Sequence, residues 1–276
     1  MQHWFITGAS AGFGFALTEQ LLARGDRVTA TLRRAGALDG LAARHPGRLA
    51  IVTLDVTDTA AVQRVMAEAF AAGRVDVVVS NAAYGLFGPA ELLPEEKIRQ
   101  QIETNLLGSI AVIRAALPGL RAQGGGRILQ LSSEGGQIAY PGFALYHATK
   151  WGIEGFVEAV AQEVAPFGIE MMLVEPGPTR TSFGAGLDMV DSAGPYAETT
   201  VGQPARAFAE QKFPIRGDVT RSVAAILTAM TPGTRLPKRL VLGSQAHAGI
   251  GAALRARLAE LETQSAIAAG ADAPDV

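Results

Sequence analysis

Tyr146 and Lys150 stand four residues apart in Tyr146-His-Ala-Thr-Lys150, the spacing that sets two side chains on one face of a helix. A free phenol, with a pKa near ~10, is a poor base at neutral pH. A neighbouring ammonium stabilises the phenolate and lowers that value, which suits the pair to general acid–base work. Ser133 lies thirteen residues upstream of the tyrosine and follows the apolar run Ile128-Leu-Gln-Leu131, so its hydroxyl is expected at the carboxyl edge of a sheet. Near the start of the chain, Gly8, Gly12 and Gly14 fall in Thr7-Gly-Ala-Ser-Ala-Gly-Phe-Gly14, between an apolar strand and a helix. Glycines at that junction permit a tight turn and close backbone approach to a pyrophosphate at a helix N-terminus. Taken singly, the tyrosine reads as a core residue, the serine as a turn or cap, and the glycines as a turn without a ligand. The glycine spacing also departs from Gly-x-Gly-x-x-Gly. Together and in this order, they describe a dinucleotide site beside a proton donor, the equipment of hydride transfer.

The second strand ends in Leu32-Arg33-Arg34, where an NAD site usually carries an acidic residue for the ribose 2′-hydroxyl. A carboxylate there would repel a 2′-phosphate, whereas a guanidinium can hold it with two charge-assisted bonds. This favours NADP(H) over NAD(H). The competing reading is a pair of solvated surface arginines.

The elements that must position these residues alternate along the chain. Strands are expected at Trp4–Thr7, Arg27–Leu32, Leu49–Leu54, Val75–Val79, Arg127–Leu131, Glu170–Val174 and Arg239–Leu242. Helices are expected between them, including Gly12–Arg24 and, with Asp58 as its cap, Ala60–Ala72. Continuous apolar strands alternating with helices imply α/β architecture, a doubly wound parallel sheet covered on both faces. No linker divides the 276 residues, so one domain is expected across 1–276. The region from about Gly177 to Gly217 reads as a long irregular loop rich in Gly, Pro, Ser and Thr, and the tail from Ala266 as frayed.

Composition removes several function classes. Net charge is −2 with no charged block, so neither nucleic acid nor a membrane surface is an expected partner. Apolar segments are interrupted by residues such as Arg114 and Glu163, and the start Met1-Gln-His-Trp-Phe-Ile is not a signal sequence. The absence of cysteine suits a reducing cytoplasm, the expected location. The four histidines, at 3, 45, 147 and 247, lack ligand spacing, so no metal is expected. His147 reads as a pocket-wall or packing residue. Glu134 and Glu175 each read either as a substrate contact or as a structural carboxylate.

Over about residues 3–245 the sequence resembles the classical short-chain dehydrogenase/reductase family, and within it the NADP-type members similar to carbonyl reductases and hydroxysteroid dehydrogenases. Thr7–Gly14 matches the family's glycine loop, and Leu54-Asp55-Val56 its adenine-binding segment. Ser80-Asn81-Ala82-Ala83 corresponds to Asn-Asn-Ala-Gly after the fourth strand, and Pro176-Gly177-Pro-Thr179-Arg-Thr181 to the segment facing the nicotinamide. Asn105, in Asn105-Leu-Leu-Gly108, completes a tetrad with Ser133, Tyr146 and Lys150. The resemblance implies a seven-stranded sheet and an NADP(H)-dependent oxidoreductase that interconverts a carbonyl compound and an alcohol.

It also implies roles. Tyr146 would be the acid–base, and Ser133 would hold the substrate oxygen. Lys150 would hold the nicotinamide ribose and depress the tyrosine pKa. Asn105 would kink its helix and hold a water in a proton relay. Cofactor contacts would come from Gly8, Ser10, Gly12, Phe13, Gly14, Arg33, Asp55, Val56, Asn81, Ala82, Tyr146, Lys150, Pro176, Gly177, Thr179 and Thr181. Ser80, Ala83 and Ala11 depart from the family pattern; the methyl of Ala83 would crowd the ribose or shift the backbone.

In this family the pocket is walled by segments after the fourth, fifth and sixth strands. Here these supply Tyr84, Leu86 and Phe87, then Tyr140 and Phe143, then Phe183, Leu187 and Met189, with Arg180 the main basic exception. Ser133, Tyr140, Phe143, Tyr146 and Phe183 are the expected substrate contacts, the loop at about 179–217 closing over them. An apolar, aromatic or alicyclic ketone or alcohol suits that wall. A homodimer or homotetramer is implied, paired through helices near Lys97–Arg121 and His147–Phe167. The alternative of another class is a non-catalytic NADP(H)-binding sensor on the same fold, and a dehalogenase on a related fold is a third reading.

Overall fold

Side chains along the central strands alternate between two hydrophobic cores. Trp4 and Ile6 of β1 (His3–Ile6) enter one and Phe5 the other; Val77 and Val79 of β4 (Val77–Ser80) enter the first and Val78 the second. The same division holds for Leu129 and Leu131 against Ile128 in β5 (Gly126–Leu131), and for Met172 and Val174 against Met171 and Leu173 in β6 (Ile169–Pro176). A strand apolar on both faces must be covered on both, which is why these runs carry no polar alternation. With β2 (Arg27–Leu32), β3 (Leu49–Thr53) and β7 (Arg239–Leu242), they form a seven-stranded sheet in the order β3-β2-β1-β4-β5-β6-β7. Every pairing in it is parallel.

One face is covered by α1 (Gly12–Arg24) through Leu17, Leu21 and Leu22, and by α5 (Val219–Ala229) through Val223 and Ile226. The other is covered by α2 (Thr59–Ala71), α3 (Gly108–Ala122) and α4 (Ala144–Val164), which contribute Val62, Met66, Ile113, Leu120, Ile153 and Val157. Asp58 caps α2 as expected, accepting from the Ala61 amide at 2.9 Å. Strand order reverses between β1 and β4, so the carboxyl ends of these two strands open a crevice where doubly wound sheets bind ligands.

The computed structural model describes residues 1–192, 194–210, 215–231 and 233–273. Within the region expected to be one long loop, residues 193 and 211–214 lie outside the described residues, as do the last three residues of the tail. The loop expectation needs correction, because Gly202–Ala209 is an α-helix, flanked by two-residue strands at Thr179–Arg180, Asp188–Met189 and Gly217–Asp218. Pro204 sits in the first turn, where its missing N–H costs no helical bond, and Val201, Ala205 and Phe208 recur at helical spacing to pack with Phe87. The tail carries a further short helix, Ser265–Ala269, with no buried residue. Among the described residues no helix is long and apolar enough to cross a membrane.

Candidate active site

The first βα turn is fixed from the strand beside it. The Thr7 hydroxyl accepts from the amides of Asn81 and Ala82 at 3.0 and 3.2 Å. The Asn81 side chain donates to the carbonyls of Thr7 and Gly8 at 2.8 and 3.0 Å. Asn81 thus uses both side-chain N–H bonds on the glycine loop. Gly8 has φ +67°, and a Cβ there would lie 2.8 Å from the Ala82 Cα, so only glycine fits. A Cβ on Gly14 would lie 2.4 Å from the Gly8 carbonyl oxygen. Gly14 is buried and allows α1 to approach β1, while Gly8, Ser10, Gly12 and Phe13 line the open cleft. Of the loop residues expected to touch a cofactor, Gly14 is the one the structure takes out of the lining.

The cleft has a volume of about 1000 Å³. One end is lined by Leu32, Arg33, Arg34, Asp55 and Val56, at the ends of β2 and β3. Arg33 and Arg34 are exposed, and among the described residues neither has an ion-pair partner. Asp55 accepts from the amide and hydroxyl of Thr57 at 3.0 and 2.8 Å, which shapes the turn beneath the cleft. Asn81, Ala82, Ala83, Pro176, Gly177, Thr179 and Thr181 continue the lining toward the middle of the sheet. Three strand spacings separate β2 from β5 in the sheet order, about 14 Å across. Arg33 and Ser133 are therefore far enough apart for an extended ligand to reach both.

At the β5 end lie Ser133, Tyr146 and Lys150. Ser133 follows β5 with extended backbone, and its hydroxyl interacts with the Tyr146 hydroxyl and accepts from the Gly135 amide at 3.1 Å. The Lys150 ammonium donates to the Leu131 carbonyl at 2.9 Å. Burial pushes the Tyr146 phenol up to about 12; the Ser133 bond works the other way, and Glu134 and Glu154 add to the rise. Burial also pulls the Lys150 ammonium down to about 8, against the attraction of Glu154. The expectation that Lys150 depresses the tyrosine pKa does not describe this arrangement. Desolvation is the largest influence on both groups, and it opposes charge on each.

Asn105 sits in a π-helical turn, Ile102–Leu107, between the helix Glu95–Gln101 and α3. Its carboxamide accepts from the Tyr84 amide at 3.0 Å and donates to the Tyr84 carbonyl at 2.8 Å. The expected break in the helix is present, and a π-turn of this kind often marks a functional position. Asn105 itself is buried behind the cleft, while its neighbour Thr104 lines it.

The structure separates the two carboxylates that the sequence left open. Glu175 is fully buried in a polar network, bound by Arg239 and by Gln137 at 2.6 Å. Arg239 also holds Glu154 at 2.5 Å and Glu158 at 2.7 Å, and Glu154 accepts from Ser132 at 2.5 Å. Glu134 instead lines the cleft and interacts with the Tyr140 hydroxyl. His147 lines the cleft too. Its Nε2 accepts from the Tyr140 amide at 2.8 Å, which leaves the proton on Nδ1 for the Gly135 carbonyl, also at 2.8 Å. Burial lowers its pKa and favours that neutral form. His147 thereby fastens both ends of the 135–140 turn.

The expected wall is present in Tyr84, Phe87, Tyr140, Phe143, Phe183 and Leu187. Leu86 is buried away from the cleft, Met189 is outside its lining, and Arg180 pairs with Asp218 at 3.7 Å. The wall also takes Pro204 and Phe208 from the unexpected helix. The i, i+4, i+7 spacing of Val201, Ala205 and Phe208 was the available signal.

A model of the short chain dehydrogenase family matches residues 2–189 of this sequence. The chain belongs to that family. It is 39% identical over 249 residues to oxidoreductase BOA17 of Botryotinia fuckeliana (strain B05.10), across 88% of this chain and 89% of the relative. A crystal structure of a short-chain dehydrogenase from Streptomyces avermitilis gives a TM-score of 0.88 at 37% identity, covering 99% of this chain and all 100% of that one. A short chain dehydrogenase from Burkholderia cenocepacia J2315, solved in complex with NADP, gives 0.74 at 25% identity, with 96% and 98% covered. Membership makes the chain an oxidoreductase of the short-chain type, built on the family's seven-stranded sheet.

Proposed function

We propose that this oxidoreductase uses NADP(H) to interconvert a ketone or aldehyde and an alcohol, on an apolar, aromatic or alicyclic substrate. One observation carries the reading: a single cleft joins the Gly8–Gly12 turn and Arg33 to the neighbouring, interacting hydroxyls of Ser133 and Tyr146. The lining fits a dinucleotide. The Gly8 cradle would be filled by a Cβ, the N-terminus of α1 faces it, and two arginines without ion-pair partners among the described residues suit a 2′-phosphate. The NADP complex of the Burkholderia relative supports the same choice.

When bound, the dinucleotide supplies or accepts the hydride. Ser133 holds the substrate oxygen, and Tyr146 gives that oxygen a proton in reduction or takes one in oxidation. Lys150 contributes ammonium N–H donors beyond the one spent on Leu131 and places positive charge beside the phenol. Asn105 positions Tyr84 and, through the π-turn, a route for replacing the proton. Gly8, Ser10, Gly12, Phe13, Asp55, Val56, Asn81, Ala82, Pro176, Gly177, Thr179 and Thr181 hold the cofactor, by side chain or backbone. Gly14 and the Asn81 carboxamide act by shaping the loop. Tyr140, Phe143 and Phe183 contact the substrate. We further assign the chain to one domain across residues 1–276, to a homodimer or homotetramer, and to the cytoplasm, which its cysteine-free composition suits.

NADPH consumption over a panel of ketones tests the reading, with Tyr146→Phe alongside. The wild type should turn over, and the variant should lose nearly all activity while binding NADPH as before. Comparable rates for both would sink the proton-donor role. Cofactor binding without turnover on any ketone would favour the sensor.

A further inference from the structure

The part of the cleft wall built from Phe87, Phe143, Phe183, Leu187 and Phe208 is apolar, and a carboxylate lies close to it. Glu134 and Tyr140 face the cleft together, and among the described residues no lysine or arginine pairs with Glu134. A buried carboxylate ordinarily finds a cation or several donors. Glu175 and Glu154 do so around Arg239. Glu134 has the Tyr140 hydroxyl and the cleft. One of its oxygens lies where a Cβ on Gly177 would come within 3.3 Å, so it sits over the backbone that follows β6. Its chain neighbour is Ser133, and adjacent Cα atoms are about 3.8 Å apart.

We infer that Glu134 and Tyr140 form a recognition pair for a second hydroxyl of the substrate, within a few bonds of the carbon that reacts. The inference rests on the proposed carbonyl–alcohol chemistry of this cleft. The Tyr140 hydroxyl interacts with the carboxylate and can donate to it, which leaves acceptor positions on both groups for a substrate O–H. Burial raises the Glu134 pKa above the usual carboxylate value, against the lowering by Tyr140. A hydroxyl can pair with either the ionised or the neutral carboxyl because it donates and accepts. An ammonium only donates, and it forms an ion pair with the ionised form alone. His147 holds the turn that carries Tyr140 and gives the pair a fixed position. The preferred substrate is then a hydroxy ketone, or the corresponding diol, whose remaining surface is apolar.

The test compares cyclohexanone with 2-hydroxycyclohexanone. The wild type should prefer the hydroxy ketone by about tenfold or more in kcat/KM, the range of a hydrogen bond to a charged group. Glu134→Ala should bring that ratio close to one, chiefly through KM of the hydroxy ketone. Tyr140→Phe should lower the ratio in part, and Glu134→Gln, which keeps an acceptor oxygen, should restore much of it. Calorimetric binding of cyclohexane-1,2-diol against cyclohexanol gives the same comparison without turnover. Equal preference in the wild type, or a ratio unmoved by Glu134→Ala, overturns the recognition pair. A wild type that binds the diol through Glu134 yet reduces neither ketone keeps the pair and overturns the proposed reaction.

Discussion

The Lys150 ammonium lies 5.6 Å from the centroid of the Tyr146 ring, and its hydrogen bond to the Leu131 carbonyl ties α4 to the end of β5. This contact holds the pair together although burial opposes charge on both. The drop of the lysine pKa from 10.5 to about 8 corresponds to roughly 3 kcal/mol, at about 1.4 kcal/mol per tenfold change in proton affinity. The cost is full below the folded value of about 8, where the amine is charged in both states, and disappears as pH rises through the ordinary value of 10.5. Lys150→Met removes the charge and also the Leu131 bond, whose loss costs about 1 kcal/mol. The variant should therefore be inactive but about 1–2 kcal/mol more stable at pH 7, with the gain shrinking toward pH 10. Urea denaturation of both proteins at these two pH values checks it; a variant less stable at pH 7 would show that the buried ammonium is not a net cost.

Tyr146 should give the two reaction directions different pH profiles. Its phenol is raised to about 12, chiefly by burial. Reduction uses the protonated phenol, which is the dominant form throughout the neutral range. Oxidation needs the phenolate, whose population grows about tenfold per pH unit below the pKa. Measured as kcat/KM, ketone reduction should stay nearly flat from about pH 6 to 7 and change only as Lys150 loses its proton near about 8, while alcohol oxidation climbs as the phenolate fills. A reduction rate that falls with an apparent pKa near 7 would mean that another group donates the proton.

The parts of this molecule that could be read from the sequence are those in which local pattern and tertiary demand agree. Gly12–Arg24, Arg27–Leu32 and Arg239–Leu242 have the bounds expected of them. The fourth strand was expected from Val75 but begins at Val77; the Gln123 carboxamide, outside the ladder, bonds both the amide and the carbonyl of Val75. The helix Gly202–Ala209 was hidden by its glycine and proline, and its apolar face acquires meaning only against Phe87 and Phe143. Site residues drawn from one short segment were visible as spacing. The network around Arg239 was not, since its carboxylates come from α4 and β6, far away in the chain. The division of labour between Glu134 and Glu175 depends on that network and was equally hidden.

Arg33 should decide between the two nicotinamide cofactors. It is exposed at the rim of the cleft and, among the described residues, has no carboxylate to compete with a phosphate. Arg33→Ala should weaken NADPH binding by about 1.5–3 kcal/mol, the scale of a hydrogen bond to a charged group, with little change for NADH. Arg34 lines the same end and should retain part of the affinity. Leu32→Asp should shift preference toward NADH. Fluorescence titration of the three proteins with each cofactor measures this, and equal affinity of the wild type for both would refute the arginine reading.

The aromatic wall should set the size and polarity of the substrate. Phe87, Phe143 and Phe208 form a mutual edge-on cluster with ring centroids 4.9, 5.5 and 6.1 Å apart. Phe143 and Phe183 bring that surface to within 5.9 and 5.8 Å of the Tyr146 ring. An apolar substrate oriented toward Tyr146 therefore meets rings from four separate segments, one of them the helix Gly202–Ala209. Each methylene buried there is worth about 0.8 kcal/mol, so kcat/KM should rise about fourfold per added carbon until the cleft is filled. Phe208→Ala opens the wall and should flatten this dependence, with the largest ketones losing about tenfold and the smallest losing little. It should also cost about 1–3 kcal/mol of stability, less than full burial would give, because Phe208 is only partly buried. Steady-state kinetics on a homologous ketone series, run beside small charged keto acids, reads out both effects. A preference for the keto acids, or a chain-length dependence that Phe208→Ala leaves unchanged, would show that these rings pack the loop and do not recognise the substrate.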